Sequence, residues 1–488
     1  VKAKQGTNIS RSFCGLNDHR NLKGSVIGAK KGGMISQVAL SITYSPVHTV
    51  EYYMDVVDKV VEYGCDEICL KDMAGIGRPA FLGRLTKSIK DKYPHIIVQY
   101  HGHSGPGFSV ASMLEVARAG AEYIDVAMEP LSWGKIHPDV ITIQAMLKDA
   151  GFLVKEINMD AYMEARRLTQ TFIDDFLGYF IEPTNHMQSS LLVGCGLPGG
   201  MMGSMMSDLK GFHNAINSSL RNQGKKELSL NDLVVMLFQE VAYVWPRVGY
   251  PPLVTPFSQY VKNTALMNLM HTLKGEPRWT TIDKDTMNMI LGKAGKLPGE
   301  LAPEIKEIVK NKGLDFYTGN PQDAFPDELP HFIEEMKKEG WDRGQDDEEL
   351  FEFAMHERQY RDFKSGAAKQ RFNQELEAAK AKANAPIIVE RPVVEVPKID
   401  VDKVKAQYPD AKPVQATAKG KIIWQVDVAG DSTAPVIGKS VKEGDVIANV
   451  EVYYGMEEIK ALASGKFIAI YPKQGEMVQK DEIVAFIN

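Results

Sequence analysis

Three side chains stand out for the chemistry that their types and spacing permit: Lys71, His101 and His103. On an extended strand, residues i and i+2 project to the same side. The two imidazoles would therefore point together, with Gly102 between them leaving room. Two imidazoles so placed are a good pair of ligands for a divalent metal ion. A lysine is a poor ligand while cationic, but a buried one with a depressed pKa can react with CO₂ and become an anionic, carboxylate-like carbamate. The plainer reading of the same residues is two hydrogen-bonded core histidines and a lysine paired with Asp72. His48, in Ser45-Pro46-Val47-His48-Thr49, fits a supporting or substrate-contacting role and a helix-entry role equally well. Arg11 falls within the first apolar run, where an unpaired buried charge is too costly. A carboxylate substrate or a structural Asp or Glu would satisfy it.

The elements that must position these residues can be read from periodicity. Apolar runs at Asn8–Cys14, Gln37–Tyr44, Glu67–Lys71, Ile96–His103 and Tyr123–Met128 alternate with amphipathic stretches such as Thr49–Tyr63, Arg78–Lys92 and Ser109–Ala119. This alternation predicts βαβ units and a parallel sheet. Lys71-Asp72, His48 and the two histidines then sit at the C-terminal ends of strands, the catalytic face of a (β/α)₈ barrel. Five units are too few to close such a barrel. Either the sheet is open, or three units precede Val1. Residues 155–383 read as mostly helical, broken by Gly194–Met201 and Tyr250–Pro256. Residues 384–413 form a Pro-containing, semi-stiff linker. Residues 414–488 read as a small all-β unit of two similar halves: Gly420-Lys421-Ile422-Ile423 returns as Gly465-Lys466-Phe467-Ile468, and Tyr454-Gly455 falls at the hairpin tip between the halves.

Composition narrows the function classes. The 488 residues carry a net charge of −6, so no global basic field invites nucleic acid or an anionic membrane. No apolar stretch approaches the roughly 18–20 residues of a membrane-spanning helix. The start, from Val1, shows no signal-peptide core and no initiator Met. Four cysteines (Cys14, Cys65, Cys69 and Cys195) match no zinc or thioredoxin spacing and suit a reducing compartment. Cys65 and Cys69 read as buried packing residues. No dinucleotide or P-loop fingerprint is present, and Gly199-Gly200 reads as a turn.

At Lys71-Asp72-Met73-Ala74-Gly75 followed by His101-Gly102-His103, the sequence resembles the biotin-dependent carboxyltransferase family. That family includes pyruvate carboxylase, the transcarboxylase 5S subunit and the oxaloacetate decarboxylase alpha subunit. Ser12–Asp18, Tyr44–Thr49, Leu197–Met201 and Leu253–Gln259 follow in family order over about residues 8–365. The resemblance implies an α/β fold: a TIM (β/α)₈ barrel whose first three strands are absent from this chain, a helical extension completing the active-site funnel, and a biotinyl/lipoyl-like domain. It implies a divalent metal (Zn, Co or Mn) held by carbamylated Lys71, His101 and His103. Thr255 matches the threonine that shuttles a proton between the enol of pyruvate and biotin, and Arg11, Ser258 and Gln259 match residues of the substrate and biotin pocket. Gln259 stands where pyruvate carboxylases carry Lys, whereas 5S-type proteins also have Gln. The family's remaining metal ligand, an Asp on the first barrel strand, would lie in roughly 100 residues ahead of Val1, at about 30 or more per βα repeat.

In the biotinyl-like domain the resemblance breaks. The carrier motif places a lysine at the hairpin tip, and Tyr454 occupies that position. Tyrosine cannot form the amide to biotin, so biotin would arrive on a separate carrier protein. The expected activity is carboxyl transfer between oxaloacetate or pyruvate and that biotin, in the manner of an oxaloacetate decarboxylase alpha subunit, the B subunit of a two-subunit pyruvate carboxylase, or a 5S subunit. Two other readings compete: a metal-dependent condensing or aldol-cleaving barrel, and a scaffold subunit that has lost catalysis. The resemblance further implies a dimer of barrels and a cytoplasmic location. Any inner-membrane association would be made through membrane decarboxylase subunits.

Overall fold

The computed structural model describes residues 1–181, 183–195, 199–384, 399–424, 437–452, 455–472 and 474–488. They form two units, Val1–Ala385 and Pro386–Asn488. The prolines at 386, 392 and 397, on which the linker reading rests, lie outside the described residues, as do Leu197-Pro198 and Tyr454.

The first unit opens with strands β1 (Ile9–Phe13), β2 (Ile35–Ser41), β3 (Glu67–Asp72), β4 (Ile97–Gly102) and β5 (Tyr123–Ile124). They pair in sequence order as a parallel sheet. Helices α1 (His19–Lys31), α2 (Val50–Glu62), α3 (Pro79–Lys92) and α4 (Ser109–Arg118) connect them, and α5 (Val140–Asp149) follows β5. The expected βα rhythm is therefore present as five strands, with boundaries within about four residues of the apolar runs. Local chemistry sets several of these ends. Thr49 caps α2 by accepting from the Tyr52 amide, while Asp18 and Asp139 cap α1 and α5.

Alternation along the strands divides the sheet into two faces. Val38, Leu40, Ile68, Leu70, Val98 and Tyr100 are fully buried in the main hydrophobic core. The opposite face carries Arg11, Gln37, Lys71, Gln99 and His101, and the register sets Lys71 directly beside His101. Tyr53, fully buried on α2, locks the end of β2 by donating to Ser41 O at 3.1 Å and accepting from the Thr43 amide at 2.9 Å.

The helical remainder of this unit includes α6 (Met159–Asp175), the single-turn α7 (Leu192–Cys195), α8 (Gly199–Asn222), α9 (Leu230–Arg247) and α10 (Phe257–Leu273). The same core continues through α9 and α10, so sheet and helices share one interior. The segment entering α10 packs onto the end of β1: a Cβ added at Gly15 would stand 2.6 Å from the Phe257 ring and 3.3 Å from Val254. The Lys296 amide donates to Asp18 at 2.8 Å and fastens a later loop to the start of α1.

In the second unit, β6 (Lys412–Gln415), β13 (Ile483–Ile487), β11 (Gly465–Ile470) and β8 (Ser440–Val441) make one four-stranded sheet. β10 (Gly455–Lys460), β9 (Val446–Val452), β7 (Gly420–Trp424) and β12 (Met477–Val478) make another. Trp424, Val450, Phe467 and Ile487 belong to a single core drawn from both sheets, the arrangement of a β-sandwich. The two internal repeats thus contribute one strand to each sheet, β7 and β11.

Candidate metal centre

Residues 101–103 leave the C-terminal end of β4 with both imidazoles on the polar face. The structure adds a third that sequence reasoning missed. One ring nitrogen from each of His101, His103 and His137 lies within 4.8 Å of the other two. The rings stand 5.3 Å (His101–His103), 4.4 Å (His101–His137) and 4.5 Å (His103–His137) apart between centroids. His137 comes from the loop between β5 and α5, and no spacing rule relates it to a pair more than thirty positions earlier.

Each Nδ1 is already engaged. His101 Nδ1 meets Asp125 Oδ2 at 2.7 Å, His103 Nδ1 meets the Lys135 carbonyl at 2.9 Å, and His137 Nδ1 meets the Gly102 carbonyl at 2.8 Å. A carbonyl oxygen can only accept, so the Nδ1 of His103 and of His137 must each carry the proton. Their Nε2 atoms are then lone-pair donors, the form that binds metals. Burial lowers the pKa of His103, and burial plus the neighbouring imidazoles pushes His137 down to about 4. The donor set therefore suits a divalent cation of borderline softness.

Asp125 anchors a wider network on the same face. It accepts from Gln99 and, at 3.1 Å, from Arg11. Arg11 also donates to Gln37, and Gln37 reaches Glu67 at 2.7 Å and Gln99 at 2.8 Å. Burial alone would raise the Asp125 pKa, but the bonds from His101 and Gln99 and the Arg11 charge hold it down at about 2. Arg11 is thus paired with a structural carboxylate, one of the two solutions that the sequence left open.

Lys71 is half-buried, and its ammonium rests 3.8 Å from the centre of the Phe13 ring. Burial lowers its pKa, and the Arg11 charge adds in the same direction. Its expected plain partner, Asp72, points to the other face, fully buried. Asp72 accepts from the Ile76 and Gly77 amides at 3.0 and 2.9 Å, and burial pushes its carboxyl up to about 6. Gly102 also serves that face. A Cβ there would stand 2.1 Å from the Tyr100 hydroxyl, so its lack of a side chain makes room for Tyr100.

Thr255, Ser258 and Gln259 form a second group at the start of α10. Thr255 and Gln259 are exposed, whereas Ser258 is fully buried and its hydroxyl has no hydrogen-bond partner among the described residues. The structure does not bring these three into hydrogen-bond contact with the imidazoles among the described residues. His48 is buried, with Nδ1 2.7 Å from the Ser45 hydroxyl. Cys14, Cys65 and Cys69 are buried and free, and burial pushes the Cys65 and Cys69 thiols up to about 11 and 12. Among the described residues, no helix is long and apolar enough to cross a membrane.

Residues 21–165 match the HMGL-like family, and residues 216–371 match the conserved carboxylase domain of the PYC_OADA family. The B subunit of pyruvate carboxylase from Methanocaldococcus jannaschii is 29% identical over 473 residues, which cover 94% of this chain and 76% of that protein. The methylmalonyl-CoA carboxyltransferase 5S subunit of Propionibacterium freudenreichii subsp. shermanii is 29% identical over 328 residues, covering 67% of this chain and 60% of the other. The carboxyl transferase domain of Rhizobium etli pyruvate carboxylase, solved with pyruvate and biocytin, superposes with a TM-score of 0.59 at 20% identity, over 94% of this chain and 71% of that one, and so shares its fold.

Proposed function

We propose that the chain is a biotin-dependent carboxyltransferase, which moves a carboxyl group between oxaloacetate or pyruvate and biotin carried on a partner protein; the two domain matches and the two similar carboxylase subunits support this reading. The observation that carries the reading is the pair of imidazoles, His101 and His103, at the C-terminal end of β4, with Lys71 beside His101 in the sheet register. His101, His103 and a carbamate on Lys71 would hold a divalent ion. Such an ion, when bound, polarises the keto oxygen and stabilises the enolate formed as the carboxyl group leaves.

The remaining steps fall to the chain's own residues. Asp125 fixes the His101 ring, and Arg11 and Gln99 fix Asp125. Thr255, exposed on the loop packed over the end of β1, is assigned the proton shuttle between enol and biotin. Gln259, exposed one turn further on, is assigned to the biotin pocket. Ser258 is assigned there with it and supplies its hydroxyl after a local rearrangement, because that hydroxyl is buried. The five parallel strands are read as part of a (β/α)₈ barrel, and the second unit as a biotinyl-like fold used for docking. The conserved carboxylase match in the helical half favours carboxyl transfer over a condensing or aldol-cleaving barrel.

The test is oxaloacetate decarboxylation by the metal-loaded protein with a biotinylated carrier domain added. Pyruvate release that depends on both metal and biotin supports the reading. Its absence with an intact, metal-replete, full-length protein rejects it.

A further inference from the structure

Three consecutive residues of the loop after β5 are laced to three consecutive residues at the end of β4. His137 Nδ1 binds the Gly102 carbonyl at 2.8 Å, the Lys135 carbonyl receives His103 Nδ1 at 2.9 Å, and the Ser104 amide donates to the Ile136 carbonyl at 2.6 Å. The loop is braced from behind as well. The Lys135 amide donates to the Asn185 carbonyl at 2.9 Å, and Gly134, at φ +56°, lies so close that a Cβ would stand 2.2 Å from that same oxygen. Trp133 adopts the left-handed region at φ 70° to make the turn, and its amide closes on the His137 carbonyl at 2.8 Å. Such backbone cost is kept where the surroundings over-determine the conformation. The result of this bracing is that a third imidazole faces the first two.

A histidine held only for packing would find a hydrogen-bond donor or acceptor at each nitrogen. Here the Gly102 carbonyl fixes the proton on His137 Nδ1, so Nε2 carries a lone pair, to which no described residue donates. The same holds for His103. Lone pairs brought together attract a cation, and a third imidazole adds to the donors that His101, His103 and a Lys71 carbamate would offer a divalent ion.

We propose that His137 is a metal ligand, completing with His101 and His103 a three-imidazole centre. The inference rests on the reading above that His101 and His103 hold a divalent ion. It departs from that reading in giving the centre a third protein nitrogen, supplied by the β5–α5 loop.

The experiment is titration of the metal-free full-length chain with Zn²⁺ against a chelator, together with X-ray absorption on the loaded protein to count coordinated imidazoles. Asparagine places an amide nitrogen near the Nδ1 position, so His137→Asn keeps the bond to Gly102 and removes only the lone pair. The expected result is three imidazoles on the wild-type ion. His137→Asn should lose more than about 100-fold in affinity and show two imidazoles, with the unfolding midpoint of the metal-free protein unchanged. Two imidazoles in the wild-type spectrum, or wild-type affinity in His137→Asn, overturn the inference and leave the metal reading standing. A wild-type chain that binds no ion overturns both. The wild-type spectrum needs no variant, so a His137→Asn protein that fails to fold does not block the test.

Discussion

The Asp125 carboxylate stands 2.7 Å from His101 Nδ1, and the same oxygen receives Arg11 at 3.1 Å. One acid thus orients an imidazole of the candidate centre and neutralises the exposed Arg11 guanidinium beside it. Partners of this kind raise ligand basicity and fix the tautomer. Asp125→Asn keeps the shape but removes the charge, and should weaken Zn²⁺ binding by about 10- to 100-fold. Chelator competition measures it. Wild-type affinity would show that Asp125 serves Arg11 alone.

Gly75 closes the turn after Lys71-Asp72-Met73-Ala74. It sits at φ +69°, and a Cβ there would lie 2.2 Å from the His103 carbonyl oxygen. Gly75→Ala should therefore cost at least about 2 kcal/mol, from left-handed strain together with the displaced His103 backbone. Metal affinity should fall alongside stability. Thermal unfolding and metal titration on the same preparation give both numbers. A stable variant with normal affinity would contradict this account of the glycine.

Lys71 should carry a carbamate when CO₂ is available. Burial lowers its pKa, and the neutral amine is the reactive form. Intact-mass or peptide spectra recorded from bicarbonate buffer should show the added mass of one CO₂ at Lys71. Lys71→Arg, which stays protonated, should show none and should lose carboxyl transfer. An unmodified Lys71 in an active, metal-loaded preparation would remove the carbamate from the mechanism.

Thr255→Ala should reduce carboxyl transfer by about 100-fold or more, the scale of a lost proton-transfer group. Thr255 is exposed and makes no hydrogen bond to the imidazoles among the described residues, so metal content and melting temperature should not move. A parallel loss of metal would point to a structural role instead.

His48 should make the fold acid-sensitive. It is 2% exposed, and burial pushes its pKa down to about 3. The unfolded imidazole titrates near about 6.5, so the unfolded chain takes up the proton first. The stability held by neutral His48 is complete above about pH 6.5 and is lost as pH falls toward about 3. At about 1.4 kcal/mol per unit, the loss reaches about 5 kcal/mol at most. Urea midpoints measured from about pH 7 to about pH 4 should fall more steeply for wild type than for His48→Asn. Parallel curves would assign the acid sensitivity to other groups.

Much of the fold was legible in the sequence because the signals are local. Five apolar runs of strand-like composition became five strands, and the amphipathic stretch from Thr49 became α2. His101 and His103 share a face because a strand repeats every second residue. Lys71, at the end of the preceding apolar run, is a direct neighbour of His101 in the sheet register.

Contacts far apart in sequence were decided only by folding. The partner of Arg11 lies on β5's exit, more than a hundred residues on, and could be any acid until the sheet is assembled. Gly102 made room for Tyr100 on the opposite face, because a gap on a strand opens to the side that the chain packs against. His137 carries no spacing signal toward His101 and His103. It joins them because the Ser104 amide bonds the Ile136 carbonyl and the imidazoles of His103 and His137 bond the backbone carbonyls of Lys135 and Gly102, contacts that exist only once the loop lies against the strand end. The sequence alone determined two imidazoles on one strand end and a lysine beside them. Tertiary structure decided which third group meets them and which nitrogens stay free.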